Sequence, residues 1–156
     1  MFRIMTLLAA IGAGLSAGVF LAFSTFVMPG IRRLPASSGV AAMQHINKLA
    51  PNPWFMTVLL GPALLSLVLG VYAIMRLGSP GAIYLLIGCA VYLVGIIVTI
   101  TYHVPHNDAL ALVDVNSPNI AKTWTDYYQP WMLWNHLRAL TCLGGAVLFT
   151  LAWRLG

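Results

Sequence analysis

"GAIYLLIGCAVYLVGIIVTITY", residues 81–102, runs for 22 positions without a charged side chain. Crossing about 30 Å of hydrocarbon takes roughly 20 apolar residues in a helix, so this stretch alone predicts a membrane span. Three other segments meet the same requirement. Ile4–Val27 and Trp54–Met75 are equally free of charge, whereas Trp131–Trp153 carries Arg138 and is uniformly apolar only from Ala139 onward. Together with Gly81–Tyr102 they predict an all-α fold, an integral membrane four-helix bundle forming a single domain over residues 1–156.

Composition agrees. Of 156 residues 60% are hydrophobic, against eight basic and three acidic side chains, and the mean hydropathy is +0.89. This is not the balance of a soluble domain. The net charge of +5 raises nucleic acid as a partner, but the basic residues are scattered, with Arg32 and Arg33 the only adjacent pair. Nucleic-acid binding needs a concentrated basic face, so none is expected, and the charges read as membrane flanks. Arg3 ahead of the first span suggests a signal peptide, but the apolar core exceeds the usual 7 to 15 residues or so and no clean cleavage site comes after it. The span is expected to be retained. Cys89 and Cys142 both fall inside spans, where small buried side chains are the ordinary role.

The connections alternate in length: 26 residues in Met28–Pro53, five in Arg76–Pro80 and 28 in His103–Pro130. With four spans, both long connections lie on one side and can form one polar cap. Each is expected to be partly helical. Ser37 or Ser38 can cap a helix carrying Val40, Met43 and Ile46 on one stripe, and Ser117-Pro118 signals a second start. Pro29, Pro35, Pro51, Pro53 and Pro130 read as helix ends. Trp54, Trp131 and Trp134 mark the cap-side interface and Trp153 the opposite one. The positive-inside count sets Arg32, Arg33, Lys48, Lys122 and Arg138 on the cap side against Arg3, Arg76 and Arg154, predicting a cytoplasmic cap on a bacterial inner membrane. Gly14 and Gly18 form a GxxxG; helix packing within the bundle is the favoured reading, a homo-oligomer interface the alternative.

Polar side chains gather in two places. On a helix, Trp131, Trp134, Asn135, Arg138 and Cys142 share a sector of about 80°. Arg138 sits about 10 Å along the span, a depth at which a charge needs a partner or water. Either it snorkels or pairs with an aspartate, or it is a fixed cation lining an internal cavity; Asn135 beside it favours the cavity. His136 points about 100° away by the same arithmetic. The second place is "TYHVPHNDALALVD", residues 101–114. Pro105 predicts that the third helix ends or kinks near His103, with a fresh helix beginning at His106 or Asn107. Asp108 then reads as a cap, and His103 and His106 either as interfacial histidines bonded to backbone or as site residues. Asn107 needs hydrogen-bond partners at membrane depth.

"VPHNDAL" (104–110) and "WMLWNHLRAL" (131–140), with "FSTFVMPGIRRLP" (23–35) and "MQHINKLAPNPWF" (43–55), resemble the anthrone-oxygenase-like family of small four-helix membrane proteins. The resemblance covers nearly the whole chain. It implies oxidation of an anthrone-like aromatic with molecular oxygen, without flavin or added metal. Position by position the family pattern falls on Pro105, Asn107, Trp134, Asn135 and Arg138, with Gln44 and Asn47 from the first connection. It departs at His103 and His106, where the family more often has an asparagine and an aliphatic residue.

The expected function is therefore that of a membrane oxygenase acting on a hydrophobic anthrone-, phenol- or quinone-like substrate. Deprotonating such a molecule yields an electron-rich anion that reduces oxygen directly, so the protein needs an apolar slot, a base and a group to meet the developing charge. His106 or His103 would be the base. Arg138, Asn107 and Asn135 would meet the charge, with Trp131 and Trp134 stacking on the ring and Gln44 and Asn47 completing the binding residues. The alternative is a metal- or haem-binding membrane protein in which His103 and His106, with His45 or His136 and nearby Asp108, ligate haem, copper or iron. A small transporter or assembly subunit ranks third, because proton-coupled carriers usually hold an intramembrane acid and no span contains one.

Overall fold

A computed structural model describes all 156 residues, Met1–Gly156. Five helices account for nearly all of it: α1 Phe2–Arg32, α2 Ala36–Leu49, α3 Pro53–Met75, α4 Ala82–Ala111 and α5 Ile120–Leu155. Four of these, α1, α3, α4 and α5, are long and apolar enough to cross a membrane. They form a ring in which α1 and α4 each pack against both α3 and α5. The protein is an all-α membrane bundle, with α2 lying across one end against α5 and the end of α4.

Small residues set the inner face. Ala9, Ala10, Ala13, Ser16 and Ala17 of α1 are buried, while Ile4, Leu7, Leu8, Ile11 and Leu15 point out. Lipid is as apolar as a leucine core, so nothing drives the large side chains inward, and close backbone approach decides the interface. The α4–α5 seam obeys the same rule. A Cβ on Gly95 would sit 2.7 Å from Thr141 Oγ1, and one on Gly88 would sit 3.1 Å from the Phe149 ring. Of Gly14 and Gly18, expected to pack within the bundle, Gly18 faces outward instead, since a Cβ there meets nothing within 4 Å, whereas one on Gly14 would reach Ala146 Cβ of α5 at 4.0 Å, at the edge of the α1–α5 seam.

Two polar links cross the middle of the bundle. Pro62 lies inside α3 and has no N–H to bond the Val58 carbonyl one turn back. The Ser16 hydroxyl donates to that carbonyl from α1 at 3.1 Å, and the Tyr92 hydroxyl from α4 donates to Leu59 O at 2.8 Å.

The expected helix ends need correction at several prolines. Pro105 does not break the third span: α4 runs on to Ala111 through a π turn at Thr99–His103. Nor does Pro29 end the first, which passes through a matching π turn at Phe23–Val27. In both, the proline stands two residues after the wide turn, where its ring and missing N–H are most easily accommodated. Pro130 lies inside α5, and the carbonyl it would have bonded belongs to Asp126, which is exposed and needs no helical partner. The helical parts of the second connection are thus continuations of α4 and α5, separated by residues 112–119. In the first connection Ser37 and Ser38 lie within α2, whose first helical residue is Ala36 and whose start has no side-chain cap. Asp108 caps nothing, since no helix begins there. At 36 residues α5 is about 54 Å long, more than the hydrocarbon requires. Its first turns form a cap core in which Trp124, Tyr127 and Trp131 pack against Met28, Val40, Met43 and Leu110.

Candidate functional site

The polar face expected on the last span is present and extends further back. Trp124, Tyr127, Trp131, Asn135, Arg138 and Cys142 are all buried along α5 at three- and four-residue spacing. Trp134 is the exception: it is 37% exposed at the rim. His136 is exposed, away from the cluster as its phase requires.

Asn135 is fully enclosed. Its Nδ2 donates to Phe20 O at 2.9 Å and to Ser24 Oγ at 2.8 Å, the latter in the π turn of α1. Its Oδ1 accepts from Arg138 Nη2 at 2.7 Å. Arg138 reaches the other way, its Nη1 lying 3.5 Å from Thr99 Oγ1 in the π turn of α4. One amide and one guanidinium on α5 therefore connect the two π turns of its neighbours.

Arg138 is only 6% exposed, so it does not snorkel, and no carboxylate pairs with it. Aromatic faces partly replace the missing anion: its Cζ lies 4.2 Å from the Phe20 ring centre and 5.6 Å from that of Trp131. Its Nε remains buried without a partner. Such a cation is stabilised by polarisable rings and hydrogen bonds but retains unspent capacity for negative charge.

His103 shares the same tryptophan. It is 1% exposed, its ring edge-on to Trp131 at 5.1 Å, and neither ring nitrogen is hydrogen-bonded. The carbonyls of Val98 and Trp131 come near the ring but miss hydrogen-bond geometry. One extra residue in a helical turn rotates the rest of the helix by about 100°, and this rotation helps seat His103 inside the bundle.

His106 is placed differently. It is exposed, its Nδ1 lies 2.7 Å from Tyr102 O, and its ring stacks on Tyr102 at 3.9 Å. This is the histidine bonded to backbone that the sequence allows. The Tyr102 side chain contacts both His106 and His103, and Trp134 leans on it at 5.3 Å. His45 is exposed as well, and nowhere do three His, Cys, Asp or Glu side chains come together in a way that could hold a metal ion.

Towards the cap, Asn107 Oδ1 accepts from the Tyr127 hydroxyl at 2.8 Å and from Trp131 Nε1 at 3.1 Å. Asn47 presents a buried Nδ2 with no partner. Gln44 is used otherwise: its amide donates to Leu110 O and Val113 O, both at 2.9 Å, tying α2 to the end of α4. The structure thus brings together Asn107, Trp131, Asn135 and Arg138 with His103, and leaves His106 and Trp134 on the outer side of Tyr102. Tyr127, Phe20, Ser24 and Thr99 join the cluster although the sequence does not single them out. Tyr127 was findable, since it lies four residues before Trp131 on the same face, but Pro130 reads as a boundary between them.

A cavity of about 370 Å³ lies at the opposite end of the bundle among Arg3, Arg76 and Trp153. It is lined by neither a histidine nor a carboxylate side chain, and by none of His103, Asn107, Trp131, Asn135 or Arg138.

A family model described as anthrone oxygenase matches residues 54–148, well over half of the chain. The chain belongs to the anthrone oxygenase family. The matched segment spans α3, α4 and most of α5, and so contains His103, Asn107, Trp131, Asn135 and Arg138. The contributions of α1 and α2, Phe20, Ser24, Gln44 and Asn47, precede it. Among curated proteins and solved structures none matches this anthrone oxygenase family member.

Proposed function

We propose that the protein is a membrane oxygenase converting a hydrophobic anthrone-, phenol- or quinone-like aromatic with molecular oxygen, and that Arg138 and His103 carry the chemistry. The observation behind this reading is a buried guanidinium with no carboxylate partner beside a buried imidazole with both nitrogens free, against one indole. A site of that kind is suited to a guest that becomes an anion during reaction.

For an anthrone the steps balance with oxygen as the only co-reactant. His103 takes a proton from the activated methylene, leaving an anion delocalised onto the ring oxygen. Arg138, held by Asn135, lies ready to donate to that oxygen, and a preset donor of this kind is typically among the largest contributions to rate. The anion gives an electron to O2; the resulting radical and superoxide combine and take up a proton, forming a carbon–oxygen bond in a substrate hydroperoxide. Loss of water from the hydroperoxide leaves the quinone carbonyl. One oxygen atom ends in the product and one in water. Trp131 and Phe20 offer flat apolar walls for the ring, and the bilayer supplies a substrate of this hydrophobicity.

The test is oxygen uptake with an anthrone by purified protein in detergent, with the product identified and ¹⁸O traced from labelled oxygen. One labelled atom in the quinone, and loss of turnover in Arg138→Gln and His103→Gln, would support the reading. Turnover unchanged in both variants would remove these residues from the reaction. An absorption spectrum of the same preparation bears on the haem and metal alternative, in which a bound chromophore would accompany activity.

A further inference from the structure

We infer that the end of the bundle opposite the cap holds a binding site for the phosphate of an anionic phospholipid. The cavity of about 370 Å³ there is bounded by Phe2, Arg3, Tyr72, Arg76, Gly81 and Trp153, among others, and its size falls within the usual range for small-molecule sites, about 300–1,000 Å³. All three carboxylate side chains of the protein, Asp108, Asp114 and Asp126, belong to the cap end, and the only ion pair is Lys122–Asp126, also at the cap. Arg3 and Arg76 line this cavity together with the chain-terminal Gly156, and neither arginine is ion-paired.

Their packing leaves them ready for an anion. Arg3 lies over Trp153 with Cζ 5.6 Å from the ring centre, Arg76 approaches Tyr72 at 5.9 Å, and Tyr72 is itself stacked on Phe2 at 3.9 Å. A guanidinium held near an aromatic ring by its charge can still present its N–H groups to a phosphate in paired hydrogen bonds. The floor depends on Gly81, whose φ of +82° suits glycine. A Cβ there would also come within 3.0 Å of Ala152 O and 3.3 Å of Leu155 Cβ.

The level argues for a lipid over a soluble phosphate. Arg3 lies in the first turn of α1, directly before the charge-free run that begins at Ile4, and Arg76 comes directly after α3, which places the cavity at headgroup depth. Ile4, Met75 and Ile83, each next in sequence to a lining residue, are exposed and offer surface to acyl chains.

The experiment measures thermal stability and lipid retention by native mass spectrometry for the whole protein in nonionic detergent. Phosphatidylglycerol, phosphatidylcholine or inorganic phosphate is added separately. Phosphatidylglycerol is expected to bind and stabilise more than phosphatidylcholine. Arg3→Gln with Arg76→Gln should weaken it about thirtyfold, at about fivefold per arginine near a charged headgroup, while Arg154→Gln, outside the cavity, retains wild-type binding. If the double glutamine variant does not fold, Arg3→Lys with Arg76→Lys replaces it, keeping charge but losing the paired geometry, and should bind phosphatidylglycerol more weakly. No preference for phosphatidylglycerol, wild-type binding by the double variant, or an equal loss in Arg154→Gln would overturn the site. Equal stabilisation by inorganic phosphate alone would keep the anion site and overturn its assignment to a lipid.

Discussion

Arg138 and Asn135 act as one unit: the guanidinium Nη2 donates to the amide Oδ1 at 2.7 Å, while the amide Nδ2 is committed to Phe20 O and Ser24 Oγ on α1. Either residue without the other leaves buried polar groups unpaired in a medium with no water to take them. Asn135→Leu, close in size, should therefore destabilise the protein by about 2 kcal/mol. Tryptophan-fluorescence melting in detergent checks this. A melting temperature at or above wild type would mean that the amide contributes no net stability.

Substitution at Arg138 separates charge from geometry. Arg138→Gln removes the cation and should lower oxygen uptake with an anthrone by about 10²–10³-fold, the usual cost of losing a preset donor. Arg138→Lys keeps the charge but not the fork that reaches Asn135 and Thr99 together, and should fall between the two.

The two histidines should behave unequally. His103 is enclosed beside Trp131 and His106 lies outside Tyr102. His103→Gln is expected to cost about 10²–10⁴-fold in turnover, the range for a lost general base, and His106→Gln to remain close to wild type. The reverse order would place the base on the outer side of Tyr102.

Packing at the α4–α5 seam gives a prediction independent of chemistry. Gly95→Leu forces a side chain into Thr141, whose Oγ1 would stand 2.7 Å from the new Cβ, and should destabilise by about 1–3 kcal/mol through overpacking. Gly18→Leu, on the outer face of α1 with open space around it, should leave the melting temperature near wild type. A large drop for Gly18→Leu would show that the outer face of α1 is covered in the purified protein, and cross-linking would identify a second copy there.

Hydropathy made the bundle legible because a charge-free run of 22 residues, such as residues 81–102, has few other stable conformations. The face containing Trp131, Asn135 and Arg138 was legible for a related reason: helical phase is arithmetic, and the helix there is regular. The prolines misled. Pro105 and Pro130 lower local helix propensity as expected, but a wide turn ahead of one and an exposed carbonyl behind the other make the interruption tolerable, and continued burial of Leu110, Tyr127 and Trp131 favours keeping the helix. The inward position of His103 could not be read from spacing, because the π turn shifts the phase that such arithmetic assumes. Gly14 and Gly18 fit a packing motif, yet the motif does not say which way it faces.

Each π turn, Phe23–Val27 and Thr99–His103, places a partner of the Asn135–Arg138 unit. A π turn is an α-helix carrying one surplus residue. Removing a single codon from either stretch would let the helix relax to ordinary pitch and swing everything on one side of the deletion by about a quarter turn relative to the other. A deletion in Thr99–His103 would part imidazole from guanidinium, and one in Phe23–Val27 would part Ser24 from Asn135, although each of these groups remained. The smallest genetic change able to dismantle this buried arrangement is therefore one of chain length, and comparison of related sequences should watch for one-residue gaps there as closely as for altered letters.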